Sequence, residues 1–469
     1  MSDTESATTR APDAPHPLRW RALGLLGLAQ LMLILDITVV AIALPDMGAE
    51  LDLDRAALTW VVSGYALTFG SLILLGGRAA DLFGPKQVVL AGLAVFTAAS
   101  LAAGLATGAP LLLTARIAQG AGAAMLSPAA LSVVVRLFDG EERNRALGIW
   151  SALGGGGAAL GVLLGGLITA GPGWAWVFFV NVPVGLLVLV LLARILPRLP
   201  RAATGSLDIP GAVLVAAATG ALIYALIRVG DHGWLDLPTL ALGAAAAVGY
   251  AAFALWQRRA AAPLMDLRLL GRRSVVAGVF VIAVTTALMV GAFFLGSFYL
   301  QNHQGHGALT TGVLFLPVAL LTMVAAGAAG RAIGRLGARS LAVIGLCVTA
   351  AGFLVPVLVS GTAAMVIGLS VAAAGLGALF VVASATALTG VAPHEAGVTS
   401  GIVSTAHEFG ASVGAAAVSS AAATSITLHT GAVTASGFDD AFLFATGTAA
   451  ISVAVVLWLI PVKPDQQAR

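Results

Sequence analysis

The sequence predicts an all-α membrane protein of fourteen spanning helices arranged as six, two and six. Three observations carry that expectation. Of 469 residues, 59% are hydrophobic and 10% are charged, with a mean hydropathy of +1.00, whereas soluble domains carry about 25% charged residues. The apolar residues fall in fourteen stretches of about 20 residues, the length that crosses ~30 Å of hydrocarbon as a helix. A ten-residue pattern also recurs once, 253 residues apart.

The stretches run approximately over 22–45, 57–77, 87–107, 110–135, 146–170, 174–193 and 209–229, then over 235–256, 274–300, 308–330, 340–359, 362–391, 396–425 and 441–461. If the N-terminus is cytoplasmic and the chain crosses at each stretch, 21 of the 24 Lys and Arg fall on the cytoplasmic side. Arg55 and Arg228 fall outside, and Arg116 lies within a helix. Such an excess is what sets orientation in a membrane, so both termini are expected in the cytoplasm. The acids Glu50, Asp52, Asp54, Asp231, Asp236, Asp439 and Asp440 fall in outer loops.

The ends and loops divide the chain. Residues 1–18 are polar, rich in Ser, Thr and Pro, and read as a disordered tail. No small-residue cleavage site follows, so the first apolar stretch is expected to stay in the membrane. A six-helix bundle is expected over 19–196, two peripheral linker helices over 205–258, a second six-helix bundle over 273–461 and a short tail over 462–469. The pI near 9.4 does not point to nucleic acid, because the basic residues sit in short breaks between apolar runs. Cys347 is the sole cysteine, which leaves no disulfide framework or thiol metal site.

The first stretch holds the leading functional candidate. From Ala22 to Leu44 the only ionisable side chain is Asp36, 15 residues past Arg21. That spacing places it about 22 Å along the helix, where an acid costs ~2.5–3.5 kcal/mol on insertion scales. A short Asp cannot reach water through lipid from that depth, although one near a helix end could be tolerated. The functional reading is a protonatable group facing a water-accessible cavity inside the bundle.

The repeat follows the second and tenth stretches. Residues 77–86 and 330–339 both read Gly-Arg-x-x-x-x-x-Gly-x-basic on the cytoplasmic side. Two halves of like topology fit parallel repeats related by an axis along the membrane normal. In the fourth stretch, Arg116 and Gln119 precede Gly120 and Gly122, with Arg116 about 9 Å inside the helix end. Arg116 either snorkels outward or faces inward, where its charge would favour the ionised form of Asp36. In the fifth, Gly157, Gly161 and Gly165 recur every four residues and form one small face for close packing. No Lys-Ser/Thr follows them, so a phosphate loop is not supported.

In the thirteenth stretch Glu408 lies about a dozen residues from Glu395, near mid-membrane, beside His407. Substrate or proton binding and a structural salt-bridged pair both remain open for it. The second His of a zinc-hydrolase motif is missing after Glu408. His303 and His306, in an outer loop, read as solvated rather than as metal ligands. Trp174 and Trp176 suit anchoring at the outer interface.

These motifs resemble the fourteen-helix drug:proton antiporters of the major facilitator superfamily, the EmrB/QacA type. Residues 35–45 are similar to that branch's Leu-Asp-x-Thr-(Ile/Val)-Val-Asn-Val-Ala-Leu-Pro, with Ala41 in place of Asn. Residues 60–65, opening the second helix at Trp60 and reaching Tyr65, are similar again. Residues 77–86 resemble the superfamily loop, retaining Gly77, Asp81, Gly84 and Lys86, with Leu82 and Pro85 where Arg is usual. Residues 116–122 resemble the motif tied to proton coupling, and 154–166 the antiporter signature, with Val162 replacing Pro. Residues 174–183, through Asn181 and Pro183, resemble the branch's Trp-Arg-Trp-x-Phe-x-x-Asn-x-Pro.

The resemblance implies a major facilitator fold working by alternating access, with Asp36 and Arg116 in proton coupling and Glu408, Tyr65 and Gln119 at the substrate. It implies export of hydrophobic or cationic drugs in exchange for protons by a monomer in a bacterial inner membrane. Uptake or exchange of a defined solute by the same fold is the alternative. An enzyme or sensor is disfavoured, since no Gly-x-Ser-x-Gly, His-Glu-x-x-His or nucleotide loop occurs and no soluble domain is present. No cofactor is expected.

Overall fold

A computed structural model of the chain describes residues 18–197, 206–265, 267–391, 396–423 and 436–460. The two expected tails, apart from Leu18, and Glu395 lie outside the described residues. Among those described, the regular structure is entirely helical. The helices are α1 (Arg19–Glu50), α2 (Arg55–Phe83), α3 (Pro85–Gly104), α4 (Ala109–Leu137), α5 (Gly140–Ala170), the short α6 (Trp176–Phe179) and α7 (Asn181–Ile195). There follow α8 (Ile209–His232), α9 (Leu237–Gln257), α10 (Arg273–Phe298), α11 (Ala308–Leu336), α12 (Ala338–Leu358), α13 (Thr362–Ala387), α14 (Ala396–Ala421) and α15 (Ser436–Leu459). Among the described residues, twelve helical segments, α6 and α7 counting as one, are long and apolar enough to cross a membrane. The helices α5 and α14 have 31 and 26 residues.

Helix starts follow local chemistry. Asp54, Asp208 and Asp236 cap α2, α8 and α9, accepting from the amides of Ala57, Gly211 and Thr239 at 2.7, 2.9 and 3.1 Å. Each carboxylate satisfies an amide left free in the first helical turn. Asp54 and Asp236, expected in outer loops, thus start helices. Pro110, Ile209-Pro210 and Leu237-Pro238 place proline in a first turn, where its missing N–H costs nothing.

The internal repeat has a structural counterpart. Gly84 joins α2 to α3 with φ 96°, and Gly337, 253 residues on, joins α11 to α12 with φ 79°. Both turn the chain through a region that side-chain-bearing residues rarely adopt. The repeated glycine is thus fixed by the backbone of one helix-to-helix corner used twice.

Within the first half α1 packs on α5, and α4 packs on both α2 and α3. Within the second, α10 packs on α13 and α14, α11 on α13, and α12 on α13 and α15. Two long seams run between the N-terminal and C-terminal helices: α2 against α14, and α5 against α11. Helix α8 lies against α2, α14 and α9, while α9 packs principally on α8 and exposes most of its surface. The Gly157, Gly161 and Gly165 face meets α1. A Cβ at Gly157 would lie 2.8 Å from Ile34, one at Gly165 3.0 Å from Val39, and one at Gly161 would overlap the Thr38 hydroxyl. Gly166, one residue round the helix, meets Ala308 and Gly312 of α11 instead.

Candidate functional site

Five helices converge on Asp36. The glycines of α4 make this possible. A Cβ at Gly120 would sit 2.5 Å from the Tyr65 carbonyl of α2, and one at Gly122 would sit 2.6 Å from the Phe96 amide of α3. Close backbone approach on both flanks lets the side chains of α4 span to neighbouring helices. The Arg116 guanidinium donates to the Asp36 carboxylate, to the Val61 carbonyl at 2.9 Å and to Gln119 Oε1 at 2.9 Å. Gln119 Nε2 donates in turn to Asp36 Oδ1 at 3.1 Å and to Ser100 Oγ at 2.9 Å. Beneath the guanidinium lies the Tyr65 ring, 4.4 Å from its carbon, with Phe178 of α6 at 5.9 Å.

This network is closed to bulk solvent. The Asp36 and Arg116 side chains are 0% and 1% exposed. Arg116 therefore faces inward, which resolves the alternatives left by the sequence. The expectation that Asp36 opens onto water is not met in this conformation, because Arg116 and Gln119 occupy both carboxylate oxygens and α1 to α4 close round them. Tyr65 and Gln119, expected at the substrate, belong to the same sealed network at 1% and 0% exposure.

Glu408 lies in the seam between α2 and α14, beside Gly70, where an added Cβ would stand 2.7 Å from the Glu408 Cβ. It is buried. One oxygen stands 3.9 Å from His407 Nε2, and Oε2 has no hydrogen-bond partner. His407 is held by Thr286 at 3.1 Å through Nδ1 and packs on the Phe380 ring. The Tyr65 hydroxyl, on the facing helix, is also buried without a partner. A long His–Glu contact and an orphan oxygen do not make a satisfied structural pair, and buried polar groups are ordinarily paired.

The repeated loop is tied by charge. Asp81 pairs with Arg136 at 3.3 Å, and Lys86 donates to the Ala193 and Leu196 carbonyls at 2.9 and 2.6 Å, closing the end of α7. Gly77 faces Pro128 of α4. One aromatic and two imidazole expectations change. Trp174 is buried against Phe178, while Trp176 is exposed as an interface residue should be. His303 packs between Tyr299 and Phe438, and His306 bonds Thr362 at 2.7 Å, so neither is simply solvated. Among the described residues no cluster of His, Cys, Asp and Glu suits a metal ion.

Sequence reasoning missed Ser100 and the Val61 carbonyl, which carry no pattern, and it missed Arg55. Counted as an outer-loop charge, Arg55 is 5% exposed and bonded to α8 and α14.

An all-helical bundle with twelve segments among the described residues long and apolar enough to cross a membrane, and a buried acid–arginine network within it, fits a multi-pass membrane transporter. The chain belongs to the Major Facilitator Superfamily, matching it over residues 26–415. It is 36% identical to the puromycin resistance protein pur8 of Streptomyces alboniger, over 97% of this chain and 93% of that one. It is 36% identical to the cephamycin export protein CmcT of Amycolatopsis lactamdurans, over 94% and 92%. A bacterial homolog of the human lysosomal transporter Spinster, solved inward-facing and unoccupied, shares the fold at a TM-score of 0.70 and 16% identity, over 95% and 98% of the two chains.

Proposed function

We propose that the chain exports hydrophobic and cationic antibiotics or drugs in exchange for protons, as a monomer in the bacterial plasma membrane. The observation that carries the reading is the Asp36–Arg116–Gln119 network, buried where α1 meets α4 and backed by α2. The names of the resistance and export relatives support the substrate class. In this reading the fourteen helices form two six-helix bundles, α1 to α7 and α10 to α15, with α8 and α9 between them. Both termini face the cytoplasm, as the Lys and Arg asymmetry suggests.

Asp36 carries the proton. Ionised, it holds Arg116 against the Val61 carbonyl; protonated, it loses most of its attraction for the guanidinium, so the ties between α1, α4 and α2 weaken together. Each inward proton supplies ~2.3 kcal/mol per 100 mV and about 1.4 kcal/mol per pH unit. One unit plus 100 mV supports roughly a 500-fold gradient of a neutral compound at 1:1. A monovalent cation exported 1:1 cancels the voltage part. Glu408, with an oxygen unpaired in the α2–α14 seam, is the acid placed to meet a cationic substrate, and its test is separate from that of Asp36.

The decisive experiment is a compound-resistance panel in a pump-deficient host, with and without a protonophore, joined to uptake in inverted vesicles. Protonophore-sensitive resistance and accumulation by inverted vesicles are expected. Accumulation by right-side-out vesicles instead assigns uptake and removes the export reading.

A further inference from the structure

At the end where α1 turns into α2, one arginine of α2 is bonded to two further helices, α8 and α14. Arg55, the first residue of α2, donates from Nη1 to Ser419 Oγ of α14 at 3.2 Å. Its Nη2 donates to the Ile227 carbonyl at 2.8 Å and the Asp231 carboxylate at 2.6 Å, both on the last turns of α8. One turn further along α2, Thr59 Oγ1 shares a hydrogen bond with the same Ser419 hydroxyl at 2.7 Å. Gly230 of α8 brings its backbone against Ser420, where a Cβ would meet the Ser420 Cα and carbonyl at 3.0 Å. The Arg55 side chain is 3% exposed while that of Asp231 is 44% exposed. The charge is therefore buried at the seam and anchored from its rim. A further bond runs from Gln301, in the π turn Tyr299–His303 that follows α10, to the Ile42 carbonyl of α1 at 2.9 Å.

We infer that Arg55, held by the C-terminal turn of α8, is a latch that keeps the α2–α14 seam closed at this end, so that the inserted helices α8 and α9 set how readily the transporter opens there. The inference rests on the alternating-access reading, not on any particular substrate or on proton coupling. Opening must part α2 from α14 and break both bonds to Ser419. The Ile227 carbonyl and Asp231 fix the guanidinium on the α8 side, so α8 decides whether Arg55 stays pointed at α14. Hydrogen bonds to a charged group are worth ~1.5–3 kcal/mol net, which sets a tenfold or larger change in the closed-to-open ratio when the latch is cut. Asp231 acts as a positioning residue, since it touches α2 through Arg55 alone among the bonds described.

The test is a spin-label distance measurement on the full chain in lipid nanodiscs. Cys347 is replaced by Ala, and labels are placed at Leu105→Cys and Leu358→Cys, exposed positions at this end in the first and second halves. Arg55→Gln, Ser419→Ala and Asp231→Asn should each raise the long-distance population at least about tenfold relative to the parent. Asp236→Asn, which breaks the neighbouring Arg228–Asp236 pair at 2.8 Å without reaching the seam, should leave the distribution unchanged. Should Arg55→Gln fail to fold, Ser419→Ala, a single hydroxyl deletion, decides the question. Parent-like distances in Ser419→Ala and Asp231→Asn overturn the latch, as does an equal shift in Asp236→Asn. A parent that transports no drug while Ser419→Ala and Asp231→Asn still lengthen the distances counts against the proposed function of export and leaves the latch standing.

Discussion

Replacing Asp36 with Asn separates the charge of the site from its shape. The amide keeps an oxygen for Gln119 Nε2, which donates to Asp36 Oδ1 at 3.1 Å. It removes the negative charge facing Arg116, whose remaining partners are the Val61 carbonyl and Gln119 Oε1, both at 2.9 Å, and the Tyr65 ring at 4.4 Å. Stranding one member of a buried pair costs ~3–5 kcal/mol. Three retained interactions place this case at the lower end, about 3 kcal/mol, which the fold should survive. The functional loss is larger. If Asp36 is the proton carrier, as proposed, the ~3.7 kcal/mol available from one pH unit and 100 mV is uncoupled. The limiting gradient of a neutral substrate then falls from roughly 500-fold to none. The assay is fluorescent-substrate accumulation in inverted vesicles, with passive exchange and thermal unfolding measured on the same preparation. Uphill accumulation should vanish while exchange and folding persist. Protonophore-sensitive accumulation at the parent level in Asp36→Asn refutes the assignment of Asp36.

Three further outcomes are expected. Glu408→Gln should weaken transport of cationic compounds several-fold more than neutral ones, and equal loss for both assigns it a structural role. Gly161→Leu should destabilise by ~1–3 kcal/mol, because its side chain enters the space of the Thr38 hydroxyl, whereas Gly24→Ala, with nothing within 4 Å, should gain up to ~1 kcal/mol from helix propensity; thermal unfolding in detergent compares them. Burial alone would raise the Asp208 carboxyl, but donors from Trp256, the Gly211 amide and Gln257 outweigh it and hold the group below its ordinary value. Its contribution to docking α8 on α9 is therefore full above about pH 3.9 and lost as pH falls through the lowered value. Asp208→Asn should remove that acid dependence from hydrogen exchange at the start of α8.

What the sequence made legible was whatever the membrane constrains directly. Stretch lengths and the Arg and Lys positions gave the helices because hydrocarbon leaves few alternatives. The repeat at Gly84 and Gly337 was readable because a positive φ at a tight corner demands the same residue twice. Asp36 and Arg116 stood out by their cost in lipid. Their sealing against each other was not legible, since spacing along α1 and α4 says nothing of how the helices rotate. Arg55 was misread for the converse reason. Near a helix end a charge is cheap, so its burial under α8 and α14 leaves no trace in hydropathy. Trp174 and Trp176 are two residues apart, yet one is buried and one exposed. Interface propensity assigns a depth in the membrane, while the direction of a side chain depends on the turn that precedes α6.

One helix links the seam to the Asp36–Arg116 network. Along α2, Arg55, Thr59 and Ser63 recur every four residues and bond α14 at Ser419, Ser419 and the Ser412 carbonyl, the last at 3.0 Å. The same helix presents the Val61 carbonyl and the Tyr65 ring to Arg116. A rigid helix cannot part from α14 along its first stripe without shifting an acceptor and a ring on its second. Separation of the halves must therefore alter the surroundings of the Arg116 guanidinium, and a proton on Asp36, by loosening that guanidinium, must alter the hold on α2. Reciprocity of this kind is required of any two sites that bias one element. In this chain that element is α2, and both sets of its partners are named by hydrogen bonds.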